Sequence, residues 1–224
     1  SREVAQQVFA DILKFGGYAF NKAHSTGYAV VAFQTAYLKT YHPAEFLAAL
    51  LTYESGNSDK IAEYLDECRH VRMPDGSAGV PVLPPDVNES DEAFTVVEVE
   101  SRAGGNGASR RKAIRFGLAA ISGVGYKAVA AIRNAREAGG PFRDLFDFCE
   151  RVDLAAVNRA VIEALIKAGA FDKTGAMRRA LMEALDAAIE HGQAAQRDRR
   201  AGQLDMFGGF AAAAPPPPPR IGSA

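Results

Sequence analysis

The apolar positions of the chain follow a helical period through much of its length. Val4, Val8, Ile12, Leu13 and Phe15 recur at that spacing and predict a first helix ending near Gly16-Gly17. A polar stretch from Gly17 to Ser25 follows, and then a long apolar run from Tyr28 to about Thr40 with few charges. That run predicts a largely buried helix. Pro43 suits the first turn of a third helix carrying Glu45, Phe46, Leu47, Leu50 and Leu51. A fourth is predicted from Ser58, read as its N-cap, to Arg69.

The period then changes. Val80 to Asn88 is held extended by its prolines, and Glu92–Glu98 with Ala113–Leu118 read as a strand pair. The glycine-rich stretch from Ser101 to Ser109 reads as a flexible hairpin loop, with Arg110, Arg111 and Lys112 at its base. Helical spacing returns after Lys127, with Val129, Ala130, Ile132, Arg133 and Arg136, and stops at Gly139-Gly140-Pro141. Phe142–Cys149 begins another helix. Asp153 is placed to cap a short segment, and Val161–Ala168 is amphipathic with Gly169 in the C-cap role. Leu181, Met182, Leu185 and Ile189 form one further stripe, and beyond His191 the pattern turns polar and exposed. Ala211–Ala214 and Pro215–Pro219 form a low-complexity, polyproline-like or disordered tail. The fold class is therefore mainly α with a small β-hairpin.

Between strands and helices stands Ile121-Ser122-Gly123-Val124-Gly125-Tyr126-Lys127, an apolar residue and a Gly-Val-Gly turn ahead of a helix. This is the pattern of a helix-hairpin-helix turn, a unit that grips the sugar-phosphate backbone of duplex DNA. Glycine allows positive φ and lets backbone approach a phosphate, and the following helix aims its free amides and positive dipole end at the anion. Gly123, Val124, Gly125, Tyr126, Lys127 and Arg133 are the candidate DNA-binding residues. Charge supports the assignment. The net charge is −1, yet Asp59–Glu100 holds eleven acids against three bases, whereas Arg110–Arg143 holds eight bases against one acid, Glu137. A basic block at such a turn is the footprint of a phosphate contact, although a solvated face has the same composition.

Composition is that of an ordinary globular chain, 48% hydrophobic and 24% charged over 224 residues. No apolar run approaches the ~20 residues of a membrane helix, so no membrane partner is expected. Cys68 and Cys149 fit buried, reduced thiols of a cytoplasmic protein. Cys68 and His70 with the distant Cys149 make no zinc pattern, and neither a Walker loop nor a nucleophile elbow occurs. No metal or cofactor is assigned to the chain. The aromatic cluster Phe142, Phe146 and Phe148 has the spacing of core residues rather than of a base-stacking platform.

Several longer stretches carry a resemblance. Phe20-Asn21-Lys22-x-His24-Ser25, Tyr28-Ala29, Gln34–Lys39 and Pro43-Ala44-Glu45-Phe46 resemble the fingers region of the bacterial DNA polymerase III alpha subunits, the C-family replicative polymerases. The Leu-Pro-Pro-Asp-Val-Asn segment and Lys167–Asp172, at the end of a second, degenerate hairpin, resemble the same family. The resemblance covers roughly residues 1–209. It implies fingers at 1–79, an extended segment and β-hairpin at 80–120, a tandem helix-hairpin-helix domain at 121–192, a clamp-binding region at 193–210 and the Ala/Pro tail at 211–224.

It further implies that Asn21, Lys22, His24 and Ser25 face a nucleotide cleft and that the tandem hairpins bind primer–template duplex. Gln203-Leu204-Asp205-Met206-Phe207 resembles the family's sliding-clamp motif; the competing reading is a small hydrophobic lid on the preceding helix. The family's Mg²⁺-binding aspartates lie upstream of this stretch, so no catalytic residue is assigned here, and the chain alone is expected to be inactive. The family continues into an oligonucleotide-binding fold beyond this stretch, so a fragment or truncated product is expected. The alternatives are a non-enzymatic DNA-binding adaptor, an error-prone paralogue of the family and a helical domain without a nucleic-acid role.

Overall fold

The computed structural model describes residues 1–19, 22–101 and 109–200. Four helices open the chain: α1 (Arg2–Ala19), α2 (Lys22–Tyr41), α3 (Pro43–Tyr53) and α4 (Ser58–His70). Strands β1 (Val82–Leu83), β2 (Thr95–Ser101) and β3 (Ser109–Arg115) follow. Then come a 3-10 turn at Leu118–Ala120 and helices α5 (Tyr126–Gly139), α6 (Leu145–Arg151), α7 (Arg159–Ala168) and α8 (Arg178–Arg200). The mainly α class with a small β element is what the hydrophobic pattern predicts.

Three expectations about the first helices need correction. α1 runs through Gly16 and Gly17 to Ala19, because glycine costs a helix only about 1 kcal/mol and no proline or capping side chain stops it there. α2 begins at Lys22, so the stretch read as a polar loop supplies the helix's first turns. The expected burial of α2 does not occur: none of its residues is buried, and Tyr28 is 66% and Phe33 71% exposed. Its principal neighbour is α3, and no other described element covers its apolar surface. Its hydroxyls turn inward on its own backbone, Thr35 Oγ1 donating to Val31 O at 3.0 Å and Thr40 Oγ1 to Ala36 O at 2.8 Å. A Lys39–Glu67 ion pair at 2.7 Å ties α2 to α4.

α3 is the first element with a core. Pro43 occupies its first turn, and Pro43, Ala44, Leu47, Ala48 and Leu51 are buried. α4 is capped by Asn57, not Ser58; the Asn57 side chain accepts from Lys60 N at 3.3 Å. Both helices pack with Val80, Phe94 and Ile114 around a first cluster that includes Cys68. Phe94 and Phe116 meet edge to face at 4.6 Å.

The strand pair is present with shifted bounds and gains a third member. β2 and β3 are antiparallel, Val97 opposite Ala113, and β1 joins β3 in parallel, Val82 opposite Ile114. The sheet order is β1-β3-β2. Residues 102–108, most of the expected hairpin loop, lie outside the described residues.

A second cluster holds α5–α8 together around Ile132, Phe148, Ile162, Leu165, Phe171 and Leu181. Phe142, Phe146 and Phe148 are at most 3% exposed, so they are core, as their spacing predicts. Gly169 closes α7 in the left-handed conformation, φ 86°. α8 departs from expectation: it remains helical through the polar stretch beyond His191 to Arg200. Its close approach to α6 needs Gly192, where a Cβ would stand 2.3 Å from the Cys149 carbonyl oxygen. Further along, Gln196 Nε2 donates to Cys149 O at 3.1 Å and Val152 O at 2.8 Å, satisfying the C-terminal end of α6. Those bonds give the polar end of α8 a reason to stay folded.

Candidate nucleic-acid interface

The first hairpin is built on a buried anchor. Val124, 5% exposed, plugs the core while its neighbours Gly123 and Gly125 face solvent. Val124 N donates to Ile121 O at 3.0 Å, closing the turn. Of the two glycines only Gly123 has positive φ, 85°, which a side chain would strain. Gly125 has ordinary dihedrals, and a Cβ there would meet nothing within 4 Å. Its lack of a side chain leaves open the space in front of α5.

No side chain caps α5. The Gly125 carbonyl accepts from Ala128 N at 3.0 Å and Val129 N at 3.1 Å, while the amides of Tyr126 and Lys127 have no acceptor among the described residues. These amides, the helix dipole and the exposed Lys127 ammonium stand together at one surface. Tyr126, 64% exposed, lies beside them. Arg133 sits further along α5 and faces Glu137 at 3.5 Å.

The second hairpin, between α6 and α7, shares the architecture and differs in its chemistry. Val157, fully buried, plays the part of Val124. Here a side chain caps the helix and the turn is bonded within itself, while the amides of Arg159 and Ala160, like those of Tyr126 and Lys127, have no acceptor among the described residues. Asp153 accepts from Ala155 N at 3.0 Å, and Asn158 caps α7 by accepting from Val161 N at 3.2 Å. Its cations are paired as well: Arg159 with Asp186 and Glu163, each at 2.8 Å, and Lys167 with Glu163 at 2.6 Å.

The basic block around the first hairpin is mostly structural, which changes its meaning. Arg110 pairs with Glu98, Lys112 with Glu45 and Arg143 with Asp147. Arg115 is 5% exposed; it pairs with Glu89 and donates to Pro84 O at 2.9 Å. Arg136 donates to Ser90 O at 2.9 Å and reaches Asp91 at 3.2 Å. Among the described residues Lys127 and Arg111 are the members of the block without an ion-pair partner. Summed sequence charge could not separate such a side chain from those already neutralised.

Arg115 and Arg136 hold a strap, residues 84–92, that joins the sheet to the hairpin domain. Asn88 pairs with the backbone of Phe142 in both directions, donating from Nδ2 to Phe142 O at 2.9 Å and accepting from Phe142 N at 2.7 Å. Glu89 links Arg115 to Lys173. The Lys173 bond is the largest influence on Glu89 and, with Arg115, outweighs burial to lower its pKa. Sequence reading marked this stretch as extended and missed its positioning role. The repeated acids of Asn-Glu-Ser-Asp-Glu facing distant arginines were the only signal, and their partners lie 26 to 84 residues away.

Asp147 serves the same end inside the domain. Burial opposes its ionisation, but the Arg143 amide and the Arg143 and Arg151 guanidinium groups outweigh it and lower its pKa. Arg151 continues to Ala135 O at 2.8 Å and so ties α6 to the end of α5. Cys149 and Cys68 are buried free thiols, pushed up to about 12 and about 11 by loss of solvation.

The other sequence-derived sites fare unequally. Lys22 and His24 are exposed and Ser25 half-buried in the first turns of α2, and Ser25 Oγ donates to Lys22 O at 3.1 Å. The His24 ring meets Tyr28 at 4.6 Å. Asn21 lies outside the described residues, as do Gln203, Leu204, Asp205, Met206, Phe207 and the Ala/Pro tail. Among the described residues no group of His, Cys, Asp and Glu is arranged to hold a metal, and no helix is long and apolar enough to cross a membrane.

Comparison with known proteins fits this geometry. Residues 79–181 match a family described as a helix-hairpin-helix motif, a span running from the strand region into α8. The chain is 45% identical over 206 residues to DNA polymerase III subunit alpha of Pasteurella multocida and 44% identical to that of Vibrio cholerae, covering 92% of this chain. Identity to the Pseudomonas aeruginosa subunit is 40% over 225 residues. The chain spans about 16% of the length of the first two relatives and 18% of the third. Along almost its whole length, and with a helix-hairpin-helix unit at the position the sequence marks, the chain is homologous to one segment of the bacterial DNA polymerase III alpha subunits.

Proposed function

We propose that this segment holds primer–template duplex within a replicative DNA-directed DNA polymerase. The observation that carries the reading is the open N-terminus of α5: two backbone amides, a glycine-cleared approach and Lys127 at one exposed surface. Such a surface attracts phosphate and reads no base, which suits an enzyme that must pass over every sequence. The first hairpin makes the contact and the capped second hairpin supports it from α7. The strap fixes the angle between this grip and the sheet.

The exposed α1–α2 face belongs against the remainder of the polymerase, with Lys22, His24 and Ser25 turned toward the nucleotide cleft. Gln203–Phe207 docks on the sliding clamp. Catalytic Mg²⁺ and its carboxylates belong to the parent polymerase outside this segment, so the segment by itself does not extend a primer.

The test is fluorescence anisotropy of a labelled DNA duplex titrated with the chain at a series of salt concentrations. Saturable binding that weakens steeply with salt is expected, with Lys127→Glu and Gly123→Val both losing it while keeping their helical circular dichroism. Binding unchanged in both folded variants would sink the assignment. Clamp docking is checked separately, by binding of a purified bacterial sliding clamp to the chain and to a Met206→Ala/Phe207→Ala variant.

A further inference from the structure

A groove lies away from the hairpins. It measures about 620 Å³ and runs between the C-terminal half of α4 and residues 78–84. Leu65, Val80, Pro81, Val82 and Phe116 form apolar walls, and Arg69 and Arg111 stand at its rim. Arg111 is exposed and has no ion-pair partner among the described residues. Arg69 meets only Asp66, at 3.3 Å, with both side chains more than 60% exposed. An exposed pair of that kind exchanges readily for a better acceptor.

The backbone adds a second feature. The carbonyls of Pro81 and Leu83 accept from Ile114 N at 2.8 Å and Phe116 N at 3.1 Å, so both point toward β3. By the alternation of a strand, the N–H and C=O of Val82 point away from β3, along the outer edge of the sheet. Pro81 and Pro84 flank this edge and donate nothing. The edge therefore offers one donor–acceptor pair in a single register, too little to recruit a whole strand and enough to align one extended segment.

We propose that this groove receives an extended segment of a partner protein that carries apolar side chains and a carboxylate. The apolar side chains lie on the Leu65–Val82–Phe116 walls, Val82 aligns the backbone, and Arg111 takes the carboxylate, with Arg69 able to join it. Nucleic acid fits less well. The neighbouring Lys112 is held by Glu45, and Phe116 spends its ring on Phe94. This surface is independent of the DNA contact at α5.

The experiment is a random-peptide phage selection on the immobilised chain, followed by anisotropy of the labelled enriched peptides. The expected result is peptides with an acid set among apolar residues. They should bind about tenfold more weakly to Arg111→Glu and nearly normally to Arg111→Lys. Leu65→Glu, with unchanged circular dichroism, should abolish binding. An absence of enriched peptides, or peptides that bind Arg111→Glu and Leu65→Glu as tightly as the parent, overturns the proposal. So does a peptide that binds this chain and fails to bind a full-length polymerase alpha subunit carrying it, because the occupant would then be the polymerase's own chain.

Discussion

α2 and α7 are written in the same alphabet and end in opposite surroundings. Both are helices rich in apolar residues at regular spacing. α7 buries Val161, Ile162, Leu165 and Ile166, while α2 buries nothing and leaves Tyr28, Val31, Phe33 and Tyr37 at least half exposed. The difference lies in what surrounds each helix. α7 has α8 across it and α5 and α6 in the same cluster; α2 has α3 at one end. An apolar stripe states that a helix needs a partner, and only the rest of the structure says whether the partner is present.

The largest effect that would sharpen this contrast is a pair of truncations. Phe148→Ala, in the centre of the hairpin domain and fully buried, should cost about 3–5 kcal/mol in urea unfolding. Phe33→Ala, 71% exposed on α2, should cost no more than ~0.5 kcal/mol and reduce binding of a hydrophobic dye. Equal costs would mean that α2 is packed in solution by something absent from the described residues.

Next in size is the ion-pair network that positions the hairpins. Asp147→Ala leaves Arg151, itself 17% exposed at its side chain, facing an empty carboxylate position, and should cost about 3 kcal/mol. The sign with pH follows from the lowered pKa values of Asp147 and Glu89. Their pairs stabilise the fold fully above the ordinary carboxylate range near ~4 and are lost as pH falls through the lower folded values. The unfolding midpoint should therefore stay nearly level from neutral pH down to about 5 and drop below about 4. Asp147→Asn should be less stable at neutral pH and lose part of that drop; an acid limb as steep as the parent's would show that other carboxylates dominate.

A smaller effect separates strap from core. Asn88→Ala removes both bonds to Phe142 and should cost about 1–2 kcal/mol. Amide exchange should rise across residues 84–92 before it rises in α7. Uniform exchange across the domain would deny the strap a local role.

The smallest effect distinguishes the two hairpins. In duplex binding, Lys127→Ala should reduce the slope of log affinity against log salt by about 1, whereas Lys167→Ala should leave it within error. The same change of slope in both would mean that the second hairpin grips phosphate despite Asn158 and Glu163.

Much of this molecule is legible from its residues. α3, α5 and α7 appear close to where the apolar period puts them, and Gly140 and Gly169 end α5 and α7 as glycines do. The hairpin turn could be read from Gly-Val-Gly because a local conformation and a local helix start are enough to make it. Ser58 was mistaken for a cap because serine and asparagine stand side by side and either suits the role; the backbone chose Asn57. The basic block was harder. Its charges could be counted in sequence, but Arg115 and Arg136 take partners from the strap and Lys127 takes none, a division made by long-range packing.

Sequence by itself determined the helical class, the turn chemistry at residues 121–127 and the resemblance to a polymerase family, because periodicity, capping and positive φ are properties of neighbouring residues. The tertiary structure decided which apolar stripe is buried, which cation is left at the surface and which strand joins β3. Each depends on groups brought together from far along the chain, and burial and ion pairing belong to the contact rather than to either residue alone.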